Sequence, residues 1–178
     1  MATDRTAVIG FPVDHSLSPI IHNHWIKELG LDTKPYEKIN VDPNKFEEQI
    51  NNLKAEGYGG LNVTVPLKEL AFSISDETSS VSKKLKSVNT LSLNSEKIDG
   101  DNTDAVGFIN SLDEKTIENN IANKKTLVLG AGGSARSVVH ALNELGGHVR
   151  LFNRTPEKAA ILLNDLSINS SPVSTEEL

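Results

Sequence analysis

Two polar turns in this sequence of 178 residues have the residue types and the spacing of anion-binding sites. In the first turn, Ser16 and Ser18 precede Pro19 and an apolar run with helical spacing. Proline is common in the first turn of a helix, where the backbone N–H groups carry a partial positive charge that attracts anions. The two hydroxyls therefore either cap this helix, with Ser18 as the N-cap residue, or bind an anion at its N-terminus.

The second turn is rich in glycine and lies between an apolar run, TLVLG, and a long helical pattern. Its spacing matches the G-x-G-x-x-G/A pattern of dinucleotide-binding folds, in which the backbone approaches a pyrophosphate at a helix N-terminus. A plain structural turn is the alternative, but the strand before it and the helix after it are the context that the motif requires. The residues that match the pattern are Gly130, Gly132 and Ala135, with an additional glycine at Gly133.

The end of the next strand indicates which dinucleotide binds. NAD sites usually carry Asp or Glu about 20 residues after the glycine turn, where the carboxylate bonds the ribose 2′-hydroxyl. This chain instead has Asn153, Arg154 and Thr155, with Lys158 one helical turn after Arg154. Because a guanidinium binds a 2′-phosphate through paired hydrogen bonds, and Lys158 can add a second positive charge, we predict NADP as the cofactor. In the structural alternative, Arg154 is solvated and Thr155 caps a helix that starts at Pro156.

The elements that position these turns follow from hydrophobic periodicity. Helical faces are predicted at Ile21, Trp25 and Leu29; at Phe46, Ile50 and Leu53, after Asp42 as N-cap and Pro43; at Val81 and Leu85; in TDAVGFINSL; and at Val138, Val139, Leu142 and Leu145. Strands are predicted in TAVIGFPV, PYEKINV, GGLNVTV, TLVLG and HVRLFN, with a hairpin in NTLSLNSEKIDGDN that turns near Asn94 and Ser95. The alternation predicts the α/β class, and TLVLG is typical of a strand that is covered on both faces.

These elements group into an N-terminal α/β domain and the first half of a Rossmann-type dinucleotide-binding domain. We predict a first domain over residues 1–110, a linker or interdomain helix over 111–123 and a partial Rossmann domain over 124–178. A full dinucleotide domain has two βαβαβ halves, and this chain ends after β-α-β-α. The expectation is therefore a chain that is truncated inside its second domain and inactive by itself.

Composition argues against several classes of protein. The formal net charge is −6, and Lys and Arg form no stripe, so no nucleic-acid partner is expected. No apolar run approaches the length of a membrane span, and the N-terminus has no apolar signal core, so we expect no membrane interaction and a cytoplasmic location. The absence of cysteine excludes disulfides and thiolate chemistry. His15, His22 and His24 lack the H-E-x-x-H spacing, so no metal is predicted.

Six motifs together resemble the shikimate dehydrogenase family: GFPVDHSLSPIIHN, GGLNVTVPLKE, VNTL, DGDNTDAVGF, LGAGGSARSVVHAL and FNRTPEKA. They follow the family's order and spacing and cover the chain to about residue 165. The resemblance implies an NADP-dependent oxidoreductase of aromatic amino-acid and chorismate biosynthesis, which reversibly reduces 3-dehydroshikimate to shikimate. It makes residues 1–110 the substrate-binding domain. It also implies a pyrophosphate site and a site around the adenosine phosphate, formed respectively by Gly130, Ala131, Gly132, Gly133, Ser134 and Ala135 and by Asn153, Arg154, Thr155 and Lys158. Leu67 departs from the family, which more often has an aromatic residue or His there.

The same resemblance implies a substrate site made of hydroxyls and amides. Ser16 and Ser18 would bind the substrate carboxylate, which favours the anion interpretation of the first turn. Asn62, Thr64 and Asn89 would bind the ring hydroxyls. Such a set suits a small polyhydroxylated acid. As a structural alternative, Asn62 lies among apolar strand residues, and its amide could be satisfied by backbone groups.

Lys68 and Asp104 would be the catalytic pair and would also contact the substrate. Ketone reduction needs a proton on oxygen, and a lysine held beside a carboxylate is suited to supply one. The structural alternatives are a solvated lysine after VPL, and an N-cap or first-turn acid for the helix that follows Asp104.

Two other functions are consistent with the sequence. One is a quinate/shikimate dehydrogenase that uses NAD, against which Arg154 argues; the other is a non-catalytic substrate-binding module. The oligomeric state is left open, a homodimer being one possibility.

Overall fold

The computed structural model describes residues 5–94 and 96–177, and the chain divides into two compact units between Asn102 and Thr103. The α/β class that was predicted from the sequence is confirmed. The sequence-based division ended the first domain at residue 110 and began the second at 124. The structure groups residues 103–123 with the second unit, because the helix at Asp104–Asn110 packs against the long helix that follows the glycine turn.

The first unit consists of a mixed sheet and the helices that pack on it. Its strands are β1 (Arg5–Gly10), β2 (Glu37–Asn40), β3 (Tyr58–Val63), β4 (Glu77–Thr78), β5 (Thr90–Leu93) and β6 (Ile98–Asp101). Its helices are α1 (Ser18–Glu28), α2 (Phe46–Ala55), α3 (Lys68–Ile74) and α4 (Ser80–Leu85), with a 3₁₀ turn at Pro43–Lys45.

In this sheet the strand order is β2-β1-β3-β5-β6-β4. β1 is parallel to both β2 and β3, whereas β5 is antiparallel to β3 and β6. The predicted hairpin between β5 and β6 is present. Ser95, which the sequence places in its turn, lies outside the described residues.

The packing of β1 explains why its sequence is a continuous apolar run. Ala7 and Ile9 face the main core, to which Ile50 of α2 also belongs, and Val8 faces a smaller cluster with Val13 and Tyr36. A strand between two parallel neighbours is buried on both faces, so its side chains are apolar in both directions.

The apolar face predicted for α2 is confirmed, but the predicted N-cap residue, Asp42, caps the 3₁₀ turn before the helix, and Lys45 is at the N-cap of α2 itself. The Asp42 side chain accepts a hydrogen bond from the Asn44 N–H at 2.9 Å, as an N-cap residue does. Phe46, Ile50 and Leu53 are buried along one face of the helix.

Two helices of the first unit differ from what the pattern suggested. The face of α1 formed by Ile21, Trp25 and Leu29 is present but lies at the surface, and Trp25 is 52% exposed. α3 was not predicted, because seven residues are too few to show a helical period.

The second unit contains a short parallel sheet. Its elements are α5 (Asp104–Asn110), α6 (Glu114–Thr116), a π-helical turn (Ile117–Ile121), β7 (Lys125–Leu129), α7 (Gly133–Glu144), β8 (His148–Phe152), α8 (Pro156–Asp165) and a 3₁₀ turn (Thr175–Glu177). β7 and β8 are parallel, as the predicted β-α-β unit requires. Beyond α8, the Val173 N–H donates to the Leu151 carbonyl at 2.8 Å, so a short segment adds to the free edge of β8.

One expectation for this sheet is wrong. TLVLG was expected to be covered on both faces, but Leu127 is 48% exposed and Leu129 is 69% exposed. The described elements cover only the opposite face of β7, where Thr126 and Val128 are half-buried. None of the helices in the described part of the chain combines the length and apolarity that a membrane span needs.

Candidate functional site

The polar residues of the first unit gather where β1 and β3 end. The two strands are parallel neighbours, with Ile9 opposite Val63, so the segments that follow them leave the sheet at the same edge. The Phe11 N–H donates to the Val65 carbonyl at 3.1 Å and joins these segments. Ligands of α/β proteins bind at this carboxyl edge.

Residues 11–18 connect β1 to the start of α1, and we call them the serine loop. The Ser16 hydroxyl lies 3.2 Å from that of Ser18 and also accepts the Ser18 N–H at 3.3 Å. The capping alternative named the wrong residue, because Leu17 is at the N-cap and the hydroxyl that meets a helix N–H belongs to Ser16. Two half-buried hydroxyls therefore lie side by side at a helix N-terminus, which is an arrangement that can bind a carboxylate.

Asn62 belongs to a row of hydrogen-bonded side chains across the sheet. The Tyr36 hydroxyl donates to Asn62 Oδ1 at 2.6 Å, and Asn62 Nδ2 donates to Thr90 Oγ1 at 3.5 Å. The Thr90 hydroxyl in turn donates to Asn89 Oδ1 at 2.9 Å. Asn62 lies opposite Thr90 in the ladder, and this pairing brings Asn89 to the same edge. The alternative in which backbone groups satisfy the Asn62 amide is wrong, because both of its hydrogen-bond partners are side chains.

Tyr36 is a site residue that the sequence analysis missed. Burial raises the pKa of its hydroxyl well above the ordinary value, so the hydroxyl stays protonated, as a hydrogen-bond donor, in alkaline solution as well as at neutral pH. The His22 ring stacks on it with centroids 4.2 Å apart, and Asn23 bonds both its backbone N–H and its carbonyl. An aromatic residue just before a strand was the available signal, and it does not distinguish this role from core packing.

Thr64 lies where the segments that follow β1 and β3 meet. Its N–H donates to the Ile9 carbonyl at 2.9 Å. A Cβ atom at Gly10 would lie 2.6 Å from the Thr64 methyl carbon. Gly10 therefore lets the loops after β1 and β3 approach closely because it has no side chain.

Lys68 begins α3 and is only 8% exposed, so the solvated alternative is wrong. Its carbonyl accepts the Val88 N–H at 2.9 Å, and the next residue, Asn89, accepts the Val63 N–H at 2.7 Å through its own carbonyl. These bonds bring Lys68 next to the strand segment that carries Asn89. Lysine is almost never buried without a partner, and a buried lysine at a ligand-binding edge is a candidate proton donor.

Asp104 lies in the first turn of α5, with Thr103 at the N-cap. Of its two structural alternatives, the first-turn acid is the correct one, and a carboxylate is favourable there because of the helix dipole. Asp104 belongs to the second unit, so its pairing with Lys68 stays a prediction.

The glycine turn, residues 130–135, has the backbone that a phosphate needs. Gly130 has φ +108°, a conformation that side chains disfavour. Gly132 is at the N-cap of α7, so Ser134 and Ala135 lie in its first turn. The turn therefore presents the N–H groups of a twelve-residue helix at the end of a parallel strand.

Asn153 joins this turn to the start of α8. Its Oδ1 accepts the Ala131 N–H at 3.1 Å, and its Nδ2 donates to the Thr155 carbonyl at 2.8 Å. Thr155 is at the N-cap of α8, as expected, but its hydroxyl makes no capping bond. Arg154 and Lys158 are exposed. A cleft of about 380 Å³ is lined by Leu129, Gly130, Phe152, Asn153 and Arg154.

Comparison with known proteins identifies the family. Residues 8–91 match the family model described as the shikimate dehydrogenase substrate binding domain. A shikimate dehydrogenase (NADP(+)) of Methylocella silvestris is 43% identical over 158 residues, which cover 89% of this chain and 56% of that protein. One of Methanococcoides burtonii is 39% identical over 160 residues, covering 90% and 58%.

Residues 8–91 belong to the family of shikimate dehydrogenase substrate-binding domains. The resemblance drawn from the six motifs is therefore confirmed. Measured against these two relatives, the chain spans only 56–58% of the curated length.

Solved structures of shikimate dehydrogenases match the fold over nearly the whole of this chain but extend beyond the part that it covers. The enzyme from Aquifex aeolicus has a TM-score of 0.86 at 38% identity, over 98% of this chain and 64% of that one. The Thermus thermophilus enzyme, solved with NADP(H) and shikimate, has a TM-score of 0.79 at 36% identity, over 94% and 62%. Among the residues described here, no group of His, Asp and Glu side chains has the arrangement of a metal site.

Proposed function

We propose that this chain supplies the substrate-binding domain and the NADP-binding turn of a shikimate dehydrogenase, which interconverts 3-dehydroshikimate and shikimate. The observation that carries the proposal is the gathering of paired serines, a bonded row of amides and hydroxyls, and a buried lysine at one edge of the sheet. Relatives of 39–43% identity that are named shikimate dehydrogenase (NADP(+)) support it.

The substrate carboxylate binds at the serine loop, where Ser16 and Ser18 donate hydroxyl hydrogen bonds at the start of α1. The ring hydroxyls bind Asn62, Thr64 and Asn89. An amide has both a donor and an acceptor, so it can bond a ring hydroxyl in either direction, and the bond from Tyr36 fixes which end of the Asn62 amide faces Thr90.

Lys68 acts as the proton donor. Reduction of the ketone adds hydride to carbon and a proton to the oxygen, and the reverse reaction removes both. The ammonium of Lys68 delivers its proton to the ketone oxygen and is left as a neutral amine, and it recovers a proton through Asp104 or solvent. General acid–base catalysis of this kind contributes about 10²- to 10⁴-fold to the rate.

The second unit fits NADP. The positive φ of Gly130 and the N-terminus of α7 suit a pyrophosphate, and Arg154 beside the cleft suits a 2′-phosphate. Gly130 to Ala135 would hold the pyrophosphate, and Asn153, Arg154, Thr155 and Lys158 would surround the adenosine phosphate. When bound, NADPH supplies the hydride.

The division into a substrate domain to about residue 110 and a cofactor domain from 124, and the cytoplasmic location, are further parts of this proposal, which leaves the oligomeric state open. The α/β sheet with its ligand edge in the first unit and the glycine turn in the second are consistent with that division of labour.

The proposal is tested by titrating the chain with shikimate, NADP and NAD. Arg154→Ala is expected to weaken NADP binding roughly ten- to a hundredfold and NAD binding hardly at all, because only NADP has the 2′-phosphate that accepts charge-assisted bonds. Arg150→Ala is the matched control, since Arg150 instead pairs with Glu177 at 2.7 Å. Equal loss for both cofactors would contradict the assignment to NADP, and no binding of shikimate would contradict the assigned substrate.

A further inference from the structure

The serine loop lacks a regular hydrogen-bond ladder, yet it must hold two hydroxyls in a fixed place. Seven residues separate the end of β1 at Gly10 from the start of α1 at Ser18. A loop of this length gains order only from bonds to its surroundings, and an unordered loop would have to be ordered when the ligand binds.

Asn40, the last residue of β2, provides two such bonds. Its Oδ1 accepts the Val13 N–H at 2.9 Å, and its Nδ2 donates to Asp14 Oδ1 at 3.1 Å. The parallel register places Asn40 beside Gly10, so a short side chain at this position reaches the loop that follows β1. Lys38 of the same strand also donates to the Asp14 carbonyl.

The hydrogen bonds of Asn40 connect to the two serines through Val13. The Val13 carbonyl accepts the Ser16 N–H at 2.9 Å, so the residue that Asn40 holds also holds Ser16. Ser16 in turn bonds Ser18 through its hydroxyl and accepts the Ser18 N–H. Val13 is fully buried, which anchors this chain of bonds to the core.

We propose that Asn40 is a positioning residue for carboxylate binding by Ser16 and Ser18, a role that rests on the proposed function. Asn40 does not touch the substrate. Its amide pre-orders the serine loop, so the ligand does not have to order it. Both ends of the amide are used, and Asp at this position would keep the acceptor for Val13 but place a second carboxylate against Asp14.

The test measures loop order and ligand affinity separately in the 178-residue chain. Asn40→Ala is expected to speed amide hydrogen exchange at Val13 and at Ser16, while the Val41 amide, bonded to the Gly10 carbonyl at 3.0 Å, stays protected. Shikimate affinity, measured by calorimetry, is expected to fall about three- to tenfold, as the loss of one or two hydrogen bonds allows. The uncharged methyl ester of shikimate is expected to lose little affinity.

Two further variants separate positioning from general destabilisation. Asn44→Ala removes a nearby exposed amide that bonds only within the Asp42 turn, and it is expected to change neither measurement. Asn40→Asp is expected to weaken shikimate binding, and adding Asp14→Asn is expected to restore it, because the pair then has one donor and one acceptor again.

The outcomes are distinguishable. Faster exchange at Ser16 together with the selective loss of shikimate affinity supports the proposal. Unchanged exchange at Ser16, or unchanged affinity in Asn40→Ala, overturns it, as does equal loss for acid and ester. If the unaltered chain binds no shikimate, the proposed function fails, and exchange at Ser16 alone then decides whether Asn40 orders the loop.

Discussion

The serine loop and the glycine turn are built on the same plan but offer a ligand different groups. Each follows a parallel strand, ends at the N-terminus of a long helix and is tethered by an asparagine at the end of the neighbouring strand. Asn40 accepts the Val13 N–H at 2.9 Å, and Asn153 accepts the Ala131 N–H at 3.1 Å.

The difference lies in what reaches the ligand. The serine loop presents side-chain hydroxyls, and the glycine that precedes it, Gly10, is needed for space against Thr64. The glycine turn presents backbone N–H groups, and Gly130 is needed for its φ of +108°. Side chains can be arranged for one small acid, whereas bare backbone accommodates the phosphates that all dinucleotides share. Under the proposed function, the first region therefore recognises one substrate, and the second binds the part that all dinucleotides share.

The largest effect is expected from Lys68→Ala, which tests whether the chemistry belongs to the first region. In an active form of the enzyme, turnover should fall about 10²-fold or more, because proton transfer is lost, while shikimate and NADP still bind. Lys45→Ala is the control, since Lys45 is exposed at the start of α2. Near-normal turnover in Lys68→Ala would remove this residue from the mechanism.

Changing either Gly10 or Gly130 to alanine should lower the free energy of unfolding, but for a different reason at each position. Gly10→Ala should cost about 1–3 kcal/mol of unfolding free energy through its clash with Thr64, and adding Thr64→Ser, which removes the clashing methyl, should recover part of it. Gly130→Ala should cost roughly 1–2 kcal/mol from backbone strain, and no second substitution should rescue it, because among the described residues no atom beyond Gly130 and its two chain neighbours lies within 4 Å of the new Cβ. Urea unfolding measures both. If Thr64→Ser recovers no stability in Gly10→Ala, a clash with Thr64 is not the reason that Gly10 is needed.

The hydroxyls of the two regions should matter unequally. Ser16→Ala with Ser18→Ala should weaken shikimate about tenfold and an analogue without the carboxylate hardly at all, because the serine loop binds through side chains. Ser134→Ala in the glycine turn should leave NADP affinity within about twofold, because that turn binds through its backbone. A large loss of NADP affinity in Ser134→Ala would show that the glycine turn also relies on side chains. Equal losses for shikimate and its analogue would mean that the serines only support the helix.

The sequence allows more of the glycine turn to be predicted than of the serine loop. Gly130 and Asn153 act within a contiguous β-α-β unit, whose period and spacing are visible in the chain. The contacts of Tyr36 with Asn62 and of Asn40 with Val13 join residues that lie 26 and 27 positions apart. Such contacts depend on strand order and register, which local patterns do not specify.

Burial was the other quantity that residue types alone predicted poorly. Leu129 and Trp25 are apolar and exposed, whereas Lys68 is charged and buried. An apolar period shows which residues share a face, but not whether another element covers that face. Lys68 is buried because α3 starts directly behind the Val88 segment, a tertiary arrangement that the short α3 does not reveal in sequence.

The smallest effect is expected where β1, β2 and β3 begin, at the edge of the sheet opposite the candidate site. A change there tests whether this edge contributes to stability and not to ligand binding. Arg5, Glu37 and Tyr58 begin β1, β2 and β3. The Tyr58 hydroxyl donates to Glu37 at 2.6 Å and Arg5 donates to the same carboxylate at 3.2 Å, and these bonds hold the pKa of Glu37 below its ordinary value.

A carboxylate with a lowered folded-state pKa stabilises the fold above its unfolded pKa, and this contribution is lost as pH falls through the folded value. Glu37→Gln should therefore lower stability at pH 7 by less than about 1 kcal/mol, the range of partly exposed pairs, and the gap to the unaltered protein should close in acid. Tyr58→Phe should reduce the effect of Glu37→Gln, because the two share one bond. Unfolding curves at several pH values measure this gap, and shikimate affinity should not change. A gap that widens in acid, or a loss of shikimate affinity, would mean that the two ends of these strands are not independent.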